Sequence, residues 1–469
     1  MKTPVINFLI ITVVSFSLFS CNENNPVKPN IIYILADDLG YGDLGCYGQQ
    51  QINTPNIDQL ANEGIRFTDH YAGSTVCAPS RCCLMTGLHT GNARVRGNAR
   101  VPLLPEDITV AELLKSAGYT TGLIGKWGLG EPGTTGIPNN QGFDYFFGYL
   151  NQARAHNYYP EWLWRNEEKV MLNNEVIFAE TGYAKGIGSA ATKKVNYSHD
   201  LFTGEALSFI ERSKDQPFFL YLAYTIPHAN NEHWLIDEHG MEVPDYGEYK
   251  DNDWPEAQIG TAAMISRMDR DIGQLISKLT EAGIDQNTVI FFTSDNGPHA
   301  EGLNDPDFFN SNGPLKGIKR DLNEGGIRVP FIAWWPGTIQ EGQTSNHISA
   351  FWDFLPTVCD LAGIESPKNI DGISYAPTLV NQLQQEHKYL YWEFFEQGGK
   401  QAIRLNNWKG IRLGVNTNPD SSLYLYDLDN DIEENKELSD SQPDIFIEVS
   451  ALMKTARTES EDFKFNHEK

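Results

Sequence analysis

Four long apolar runs in this chain each stop abruptly at polar or charged residues. They occupy positions near 31–35, 120–124, 218–224 and 288–293, in the stretches NIIYILADD, TTGLIGK, FFLYLAYTIPH and TVIFFTSDN. Runs that are apolar at nearly every position are typical of strands buried on both faces, as in a parallel sheet covered by helices. These runs therefore predict a large, mostly parallel sheet in the interior of the protein.

Helical segments lie between the apolar runs. One is predicted to begin at Pro55 and to stop before Gly64, and another has a capping box formed by Thr109 and Glu112. Strands that alternate with helices favour an α/β layered fold. The length of 469 residues leaves room for a sizeable core and for more than one domain.

The polar residues that follow the runs predict a common site, because ligands in α/β folds bind beyond the carboxyl ends of the strands. Four of these residues offer hard oxygen ligands suited to Ca²⁺ or Mg²⁺, namely Asp37, Asp38, Asp295 and Asn296. Taken singly, such a pair could equally form a helix cap or an Asx turn. Lys126, His228 and the lysines of LKGIKRD offer positive charge and one titratable proton.

The charge of the chain restricts its partners. The formal net charge is −26, which excludes an extended nucleic-acid surface, since such a surface needs a basic patch. An acidic protein can still bind an anion, but only through a local cluster of positive groups. The basic residues at the strand ends are the candidates for that cluster.

The N-terminus predicts export. Lys2 precedes an apolar run over residues 6–20 that is too short for a comfortable transmembrane helix and suits a signal peptide. The run ends at Cys21 in a Leu-Phe-Ser-Cys sequence that resembles a bacterial lipobox, so residues 1–21 are interpreted as a lipoprotein signal and 22–29 as a tether. An ordinary cleaved secretory signal is the alternative. Either way we expect an exported protein, in the periplasm or on the outer membrane of a Gram-negative bacterium, with the lipid anchor as its only membrane contact.

The remaining cysteines do not form a disulfide framework. Five are left after Cys21, an odd and sparse set, and no spacing suits zinc. Cys82 and Cys83 are predicted to be small buried side chains of a helix. Cys77 could be a disulfide half, a metal ligand, a buried side chain or something chemically rarer.

The stretch STVCAPSRCCLMTG around Cys77 carries a family resemblance. Cys77-Ala-Pro-Ser-Arg81, continued by Leu84, Thr86 and Gly87, resembles the signature of type I sulfatases. The resemblance extends through ADDLGYGD, GKWGLG, TSDNGP, LKGIKRDLNEGGIRVPF and LYDLDNDIEENKEL, and so covers roughly residues 29–440. Pro79 suits the first turn of a helix, which leaves residue 77 at the amino end, where free N–H groups favour an anion.

The resemblance implies an unusual chemistry for Cys77. In that family a maturation enzyme oxidises the cysteine to Cα-formylglycine before the protein folds. One hydroxyl of the hydrated aldehyde attacks sulfur, and the second lets the aldehyde reform and expel sulfate. Cys77 would then be the precursor of the nucleophile.

The resemblance also implies roles for individual residues. The Ca²⁺ ligands would be Asp37, Asp38, modified Cys77, Asp295 and Asn296. Arg81 would hold the formylglycine hydroxyl, and His228 would bind sulfate and protonate the leaving alcohol. Lys126 and Lys319 would contact the sulfate, although Lys316 is close enough in sequence to confuse the second assignment.

One position departs from the family pattern. The commonest sequence is Gly-Lys-Trp-His, whereas Gly128 follows Trp127 here. That histidine is thought to help deprotonate the diol, so its role is vacant or supplied from elsewhere. Some subgroups of the family carry this glycine.

The fold implied by the family is that of alkaline phosphatase, an α/β/α sandwich with a large mixed sheet. A small C-terminal α+β subdomain with an antiparallel sheet follows it. A polar stretch near 380 predicts the boundary, with a catalytic domain over 30–380 and the subdomain over 381–469.

A middle segment, LNQARAHNYYPEWLWRNEEKV, mixes aromatic and polar residues. Such a mixture suits a sulfated sugar ring, and Arg154, His156 and Tyr158 are the predicted substrate contacts. The alternative is a surface hairpin with partly buried aromatic side chains.

Three functional hypotheses follow. The first is a sulfatase acting on a sulfated carbohydrate, with galactose or N-acetylgalactosamine sulfate at a chain end as the expected substrate. The second is a phosphonate or phosphate ester hydrolase of the same superfamily. The third is an inactive glycan-binding lipoprotein, for which Gly128 is the only support.

Overall fold

The structure, a computed structural model, describes residues 28–468. The predicted signal peptide with Cys21, and residues 22–27 of the predicted tether, lie outside the described residues.

The strands of the first half are β1 (Asn30–Ala36), β2 (Ile65–Phe67), β3 (His70–Tyr71), β4 (Thr120–Lys126), β5 (Tyr145–Tyr149), β6 (Trp162–Arg165), β7 (Glu168–Met171), β8 (Glu175–Phe178) and β9 (Ser189–Lys193). Those of the second half are β10 (Phe218–Ala223), β11 (Thr288–Ser294), β12 (Phe331–Trp334), β13 (Gln343–Ser345), β14 (Ser349–Ala350), β15 (Leu390–Phe394), β16 (Lys400–Leu405), β17 (Trp408–Leu413) and β18 (Leu423–Asp427). The α-helices are α1 (Pro55–Glu63), α2 (Cys77–Thr86), α3 (Val110–Ser116), α4 (Ser198–Ser213), α5 (Glu256–Glu281), α6 (Glu324–Ile327), α7 (Phe354–Ala362), α8 (Ala376–Leu379) and α9 (Pro443–Thr455).

The four apolar runs of the sequence form four neighbouring strands of one large sheet. Ten strands pair in the order β13-β2-β12-β11-β1-β10-β4-β5-β6-β7. The central strands β11, β1, β10, β4 and β5 are parallel, and antiparallel pairs on both flanks make the sheet mixed. The predicted large mixed sheet is confirmed.

Helices cover both faces of this sheet. Alternate residues of β1 point to opposite sides, so that Tyr33 and Leu35 pack in one core with residues of α2, α3 and α7. Ile32 and Ile34 pack in a second core with residues of α1, α4 and α5. This double layer explains why the central strands are apolar at most positions, and it confirms the predicted α/β/α sandwich.

Local signals set the helix starts that the sequence predicted. Helix α1 begins at Pro55, where a missing N–H has no cost. At the start of α3 the Thr109 hydroxyl accepts from the Glu112 N–H at 3.2 Å, and the Thr109 N–H donates to Glu112 Oε2 at 2.9 Å. The predicted capping box is therefore present.

A small antiparallel sheet follows the sandwich. Strands β15 to β18 pair in sequence order, and Val449 and Met453 of α9 pack on one of its faces. On the other face Trp392 belongs to the core of the sandwich, and buried Lys409 donates to Glu324 Oε1 of α6 at 2.6 Å. The C-terminal sheet is confirmed, while the domain boundary near 380 stays a prediction. Within residues 28–468, no helix combines the length and the apolar character needed to cross a bilayer.

Candidate active site

The polar residues that follow the central strands meet at the carboxyl edge of the sheet. Lys126, the last residue of β4, donates from Nζ to Asp37 Oδ2 at 2.7 Å. The Asp38 N–H donates to Asp295 Oδ1 at 3.1 Å, which holds Asp38 at a φ of +65°. His228, after β10, places Nε2 3.5 Å from Asp38 Oδ2. Four separate segments of the sequence therefore form one buried charged cluster.

Helix α2 is locked onto this cluster. The Ser80 hydroxyl donates to the Asp295 carbonyl at 2.6 Å. Arg81, which is completely buried, donates from Nη2 to Asp295 Oδ2 at 2.8 Å and from Nη1 to the Lys126 carbonyl at 2.7 Å. Charge-assisted bonds of this kind fix the helix against the ends of β4 and β11.

Cys77 lies at the amino end of α2, buried beside the cluster. The N–H of the next residue, Ala78, donates to Asn98 Oδ1 at 3.2 Å. Burial raises the pKa of the Cys77 thiol to about 12, so the thiol is protonated at neutral pH. Cys82 and Cys83 are buried side chains of α2, as predicted.

Lys319 and His228 face the same carboxylates. Lys319 Nζ donates to Asp38 Oδ2 at 2.9 Å, to Glu301 Oε2 at 3.0 Å and to His228 Nε2 at 3.1 Å. His228 Nδ1 lies 2.7 Å from the Ala229 carbonyl, to which it donates, so Nε2 is the acceptor nitrogen. Burial, and after it the charge of Lys319, lowers the pKa of His228 to about 3.

The structure separates the two lysines that the sequence could not. Lys316 Nζ donates to the Glu434 carbonyl at 2.8 Å and so contacts the C-terminal subdomain. Lys319 alone of the pair reaches the charged cluster.

Two oxygen atoms of the cluster have no hydrogen-bond partner among the described residues. Asn296 Nδ2 donates to Asp38 Oδ1 at 2.6 Å, which leaves Asn296 Oδ1 buried and unpaired among the described residues. Asp37 Oδ1 is likewise buried without a partner in the described part of the chain. Buried polar atoms are nearly always paired, so these two oxygens fit a cation as their missing partner.

The positions and charges of the cluster residues also support a bound cation. Ligand atoms of Asp37, Asp38, Cys77 and His228 lie within 4.8 Å of one another. Burial, and after it the Asp37 carboxylate, raises the pKa of Asp295 to about 7, and the charge of Arg81 only partly opposes this rise. A donor set dominated by oxygen favours a hard cation such as Ca²⁺ over zinc.

Two family models match this chain. One for sulfatases covers residues 29–364, and one for the C-terminal part of N-sulphoglucosamine sulphohydrolase covers residues 318–460. The chain belongs to the sulfatase family. This confirms the resemblance found around Cys77 and favours a sulfatase over the two alternative functions.

Several relatives of this sulfatase carry the name of a sugar sulfate or were solved with a bound carbohydrate. N-acetylgalactosamine-6-sulfatase of Mus musculus is 33% identical over 78% of this chain and 69% of its own. N-acetylgalactosamine-6-O-sulfatase of Bacteroides thetaiotaomicron is 31% identical over 93% of this chain and 94% of its own. The crystal structure of Ps i-CgsB in complex with k-i-k-neocarrahexaose matches with a TM-score of 0.77, at 28% identity over 94% of both chains. The chain is thus a sulfuric ester hydrolase of the carbohydrate sulfatase branch.

The three predicted substrate contacts occupy different surroundings in this sulfatase. The Arg154 guanidinium stacks on the Trp162 ring at 3.6 Å and lies 2.7 Å from Glu161 Oε2. The charge of Arg154 is therefore paired with Glu161 at the start of the hairpin formed by β6 and β7. That hairpin, with its partly buried tryptophans, is the alternative that the sequence left open for this segment.

His156 is closer to the charged cluster. Its ring stacks on that of His228, with centroids 4.9 Å apart, and its Nδ1 lies 3.0 Å from Glu232 Oε2. The His156 ring therefore packs against one face of the His228 ring.

Tyr158 points into the core. Its side chain is fully buried, and its hydroxyl lies 2.5 Å from the Thr225 carbonyl and 2.6 Å from the His228 carbonyl. The hydroxyl thus supports the turn that carries His228 and is shielded from a ligand.

Sequence reasoning missed two residues of the site. Glu301 pairs with Lys319 and with Arg320, and the His299 ring stacks on His228 with centroids 5.9 Å apart. Both directly follow the TSDNGP motif, so an extension of that motif by three residues would have found them.

We expect Tyr158→Phe to lower stability without weakening substrate binding. The variant leaves the buried His228 carbonyl without its donor, whereas the Thr225 carbonyl still accepts from the His228 N–H at 3.0 Å. The loss costs about 1–3 kcal/mol of the free energy of unfolding, and kcat falls because the His228 turn loosens. Urea unfolding and steady-state kinetics measure both, with Tyr159→Phe as the control. A rise in KM at unchanged stability would show instead that Tyr158 contacts the substrate.

Proposed function

We propose that this sulfatase hydrolyses sulfate esters of galactose or N-acetylgalactosamine residues in a polysaccharide, with a formylglycine made from Cys77 and a bound Ca²⁺. The observation that carries the proposal is the position of Cys77, at the amino end of α2 and against Asp37, Asp38 and His228. The names of the relatives support the sugar. The partners are then the sulfated carbohydrate and a formylglycine-generating enzyme.

The charge balance of the cluster suits a sulfate ester. Four carboxylates lie among four cations, and the eight residues are Asp37, Asp38, Asp295, Glu301, Arg81, Lys126, Lys319 and Arg320. One divalent cation added to this balanced set gives a net positive charge. The net charge of the protein is −26, so most of its surface repels a sulfate ester. A positive site at the carboxyl edge of the sheet can nevertheless bind the ester.

The positions of the residues suggest a separate role for each in catalysis. The ligands for Ca²⁺ are proposed to be Asp37, Asp38, residue 77, Asp295 and Asn296. A formylglycine at position 77 would supply the nucleophilic oxygen, and a Ca²⁺ ion held by these residues would polarise the sulfate oxygens. Lys126 and Lys319 bind sulfate oxygens, while Arg81 holds residue 77 and Asp295 in place.

His228 is proposed to protonate the leaving alcohol. Its Nδ1 donates to the Ala229 carbonyl, and its Nε2 accepts from the Lys319 ammonium at 3.1 Å, so the proton for the leaving oxygen would pass from Lys319 to Nε2 and from there to the alkoxide. A sugar alkoxide is a poor leaving group and needs that proton.

The chain-end specificity is supported by the C-terminal subdomain. Lys400 of β16 donates to the Arg320 carbonyl at 2.7 Å and pairs with Asp321 at 3.1 Å, next to Lys319. The subdomain therefore packs against the loop that carries Lys319 and closes one side of the site. A closed site favours a terminal sugar over an internal one.

We also propose export on a lipid anchor, which the apolar run over residues 6–20 and Cys21 support. Such a location suits a hydrolase of extracellular polysaccharide.

Cys77 is expected to be formylglycine when the protein is made together with a maturation enzyme. Mass spectrometry of the tryptic peptide over residues 67–81 should show the loss of one sulfur and two hydrogens and the gain of one oxygen. The adjacent peptide, which begins at Cys82, should keep its thiols and serves as the internal control. Full activity in a purely thiol form, or in Cys77→Ala, would contradict the mechanism.

Elemental analysis is expected to find calcium, at about one ion per chain, and no zinc. Chelation should abolish activity, and added Ca²⁺ should restore it. Asn296→Ala should weaken calcium binding at least about tenfold, measured by the calcium dependence of the melting temperature, because a ligand oxygen is lost. Asp420→Asn, at an exposed carboxylate, is the control. Stoichiometric zinc would instead favour the phosphatase-like alternative.

His228→Ala is expected to lose at least about 100-fold in kcat on sugar sulfates and less than about tenfold on 4-nitrophenyl sulfate. The reason is that nitrophenolate departs without a proton. His233→Ala, at an exposed histidine of the same loop, should affect neither substrate. Equal losses on both would mean that His228 only binds sulfate.

The proposed function is tested by a panel of sugars sulfated at each position of galactose, N-acetylgalactosamine, glucosamine and fucose. We expect turnover of the first two, as monosaccharides and at the ends of oligosaccharides, because the site is closed on one side. Preference for glucosamine or fucose sulfates, or random internal desulfation of a long polymer, would contradict the proposed substrate. Neither result would contradict the sulfatase chemistry.

A further inference from the structure

Gln152 presents an unpaired carboxamide close to the start of α2. The residue follows β5 and is only 9% exposed. Neither its Oε1 nor its Nε2 has a hydrogen-bond partner within residues 28–468. Burial of an amide with both ends unpaired is costly, so the missing partner is expected to be a ligand.

Gly128 makes room for this amide. The φ of Gly128 is +86°, a conformation that favours glycine. A Cβ built on Gly128 would lie 2.1 Å from Gln152 Nε2, which is closer than any real contact. The Gln152 amide therefore occupies the space that a side chain at position 128 would fill.

The amide lines a cleft next to Cys77. The cleft is bounded by Ala78, Asn98, Gly128, Gln152 and Tyr183. Tyr183 is 57% exposed and offers an aromatic face, and Asn98 accepts the N–H of Ala78. The cleft holds about 30 Å³ and reaches Ala78, so the ring nearest to the nucleophile would place a single hydroxyl group in it.

The charges of the cleft exclude a second sulfate as its ligand. Arg100 and Glu131 also line it, with one charge of each sign. Glu131 additionally accepts from Asn151 Nδ2. A cleft with no net charge, an aromatic wall and a free amide suits neutral hydroxyl groups, because an amide donates and accepts as a hydroxyl does.

We propose that this cleft receives one hydroxyl of the sugar ring that carries the sulfate ester, and that the Gln152 amide is hydrogen-bonded to this unsulfated hydroxyl. The proposal rests on the proposed function and adds a residue that selects sugar sulfates over sulfates without ring hydroxyls. Gly128 is then required for substrate selection, since any side chain there would displace the amide.

The test uses Gln152→Met, which keeps the length of the side chain and removes both polar atoms. KM for the galactose or N-acetylgalactosamine sulfate that is turned over best should rise about tenfold, as expected when a buried hydroxyl loses its partner. The kcat and KM for 4-nitrophenyl sulfate, which has no ring hydroxyl, should change less than about twofold. The melting temperature should stay the same or rise, because no hydrogen bond of the folded protein is lost.

Gln258→Met is the matched control, since Gln258 is also a buried glutamine with an unpaired oxygen in the described structure, on helix α5. It should change neither KM. Equal losses of Gln152→Met on both substrates would place the amide at the sulfate or at residue 77 and overturn the proposal. A lower melting temperature with unchanged KM would make Gln152 purely structural and overturn it too.

Binding separates failure of this proposal from failure of the proposed function. The Cys77→Ala protein, with and without Gln152→Met, is titrated with galactose 6-sulfate and N-acetylgalactosamine 6-sulfate. Equal affinity with and without Gln152 overturns the role of the cleft alone. Absence of binding to both sugars when Gln152 is intact counts against the proposed substrate and, with it, against the cleft.

Discussion

The structure depends on opposite charges that neutralise one another at the carboxyl edge of the sheet. Three carboxylates are buried there within a few ångströms, and each is in contact with a lysine or an arginine from another segment. Removal of one partner from a buried pair typically costs about 3–5 kcal/mol, because the other charge is left without compensation. The strands, helix α2 and the loop of Lys319 can therefore reach their places only together. The fold and the candidate site are set by the same contacts.

The sequence predicted the central sheet because burial on both faces makes each strand a short apolar run that ends at polar residues. Strands β1, β4, β10 and β11 were visible as unbroken apolar runs, and their parallel order placed Asp37, Lys126, His228 and Asp295 at one edge. The capping box of Thr109 was equally readable, since it involves neighbours in sequence. Local pattern and strand direction thus predicted most of the cluster.

Contacts between distant segments could not be read in this way. The mixture of polar and aromatic residues around Tyr158 suits a ligand site and a buried support equally well, and only the structure shows its hydroxyl under the His228 turn. The spacing of Lys316 and Lys319 gives no direction for either side chain. Gln152 and Gly128 are separated by 24 positions, so their contact leaves no local signal. Short flanking strands such as β2 and β13 have too few residues for a clear pattern.

The cover over the Cys77 segment comes from the far end of the chain. Trp392 Nε1 donates to the Ala72 carbonyl at 2.9 Å, and Arg96 Nη1 donates to the Thr458 carbonyl at 2.9 Å. About 380 residues separate Cys77 from Thr458, so a ribosome that adds roughly 5–20 residues per second needs tens of seconds to supply that cover. If Cys77 is oxidised as proposed, the enzyme that does so has at least this interval in which to act on an open chain. The length of the polypeptide would thus set the minimum time available for the modification.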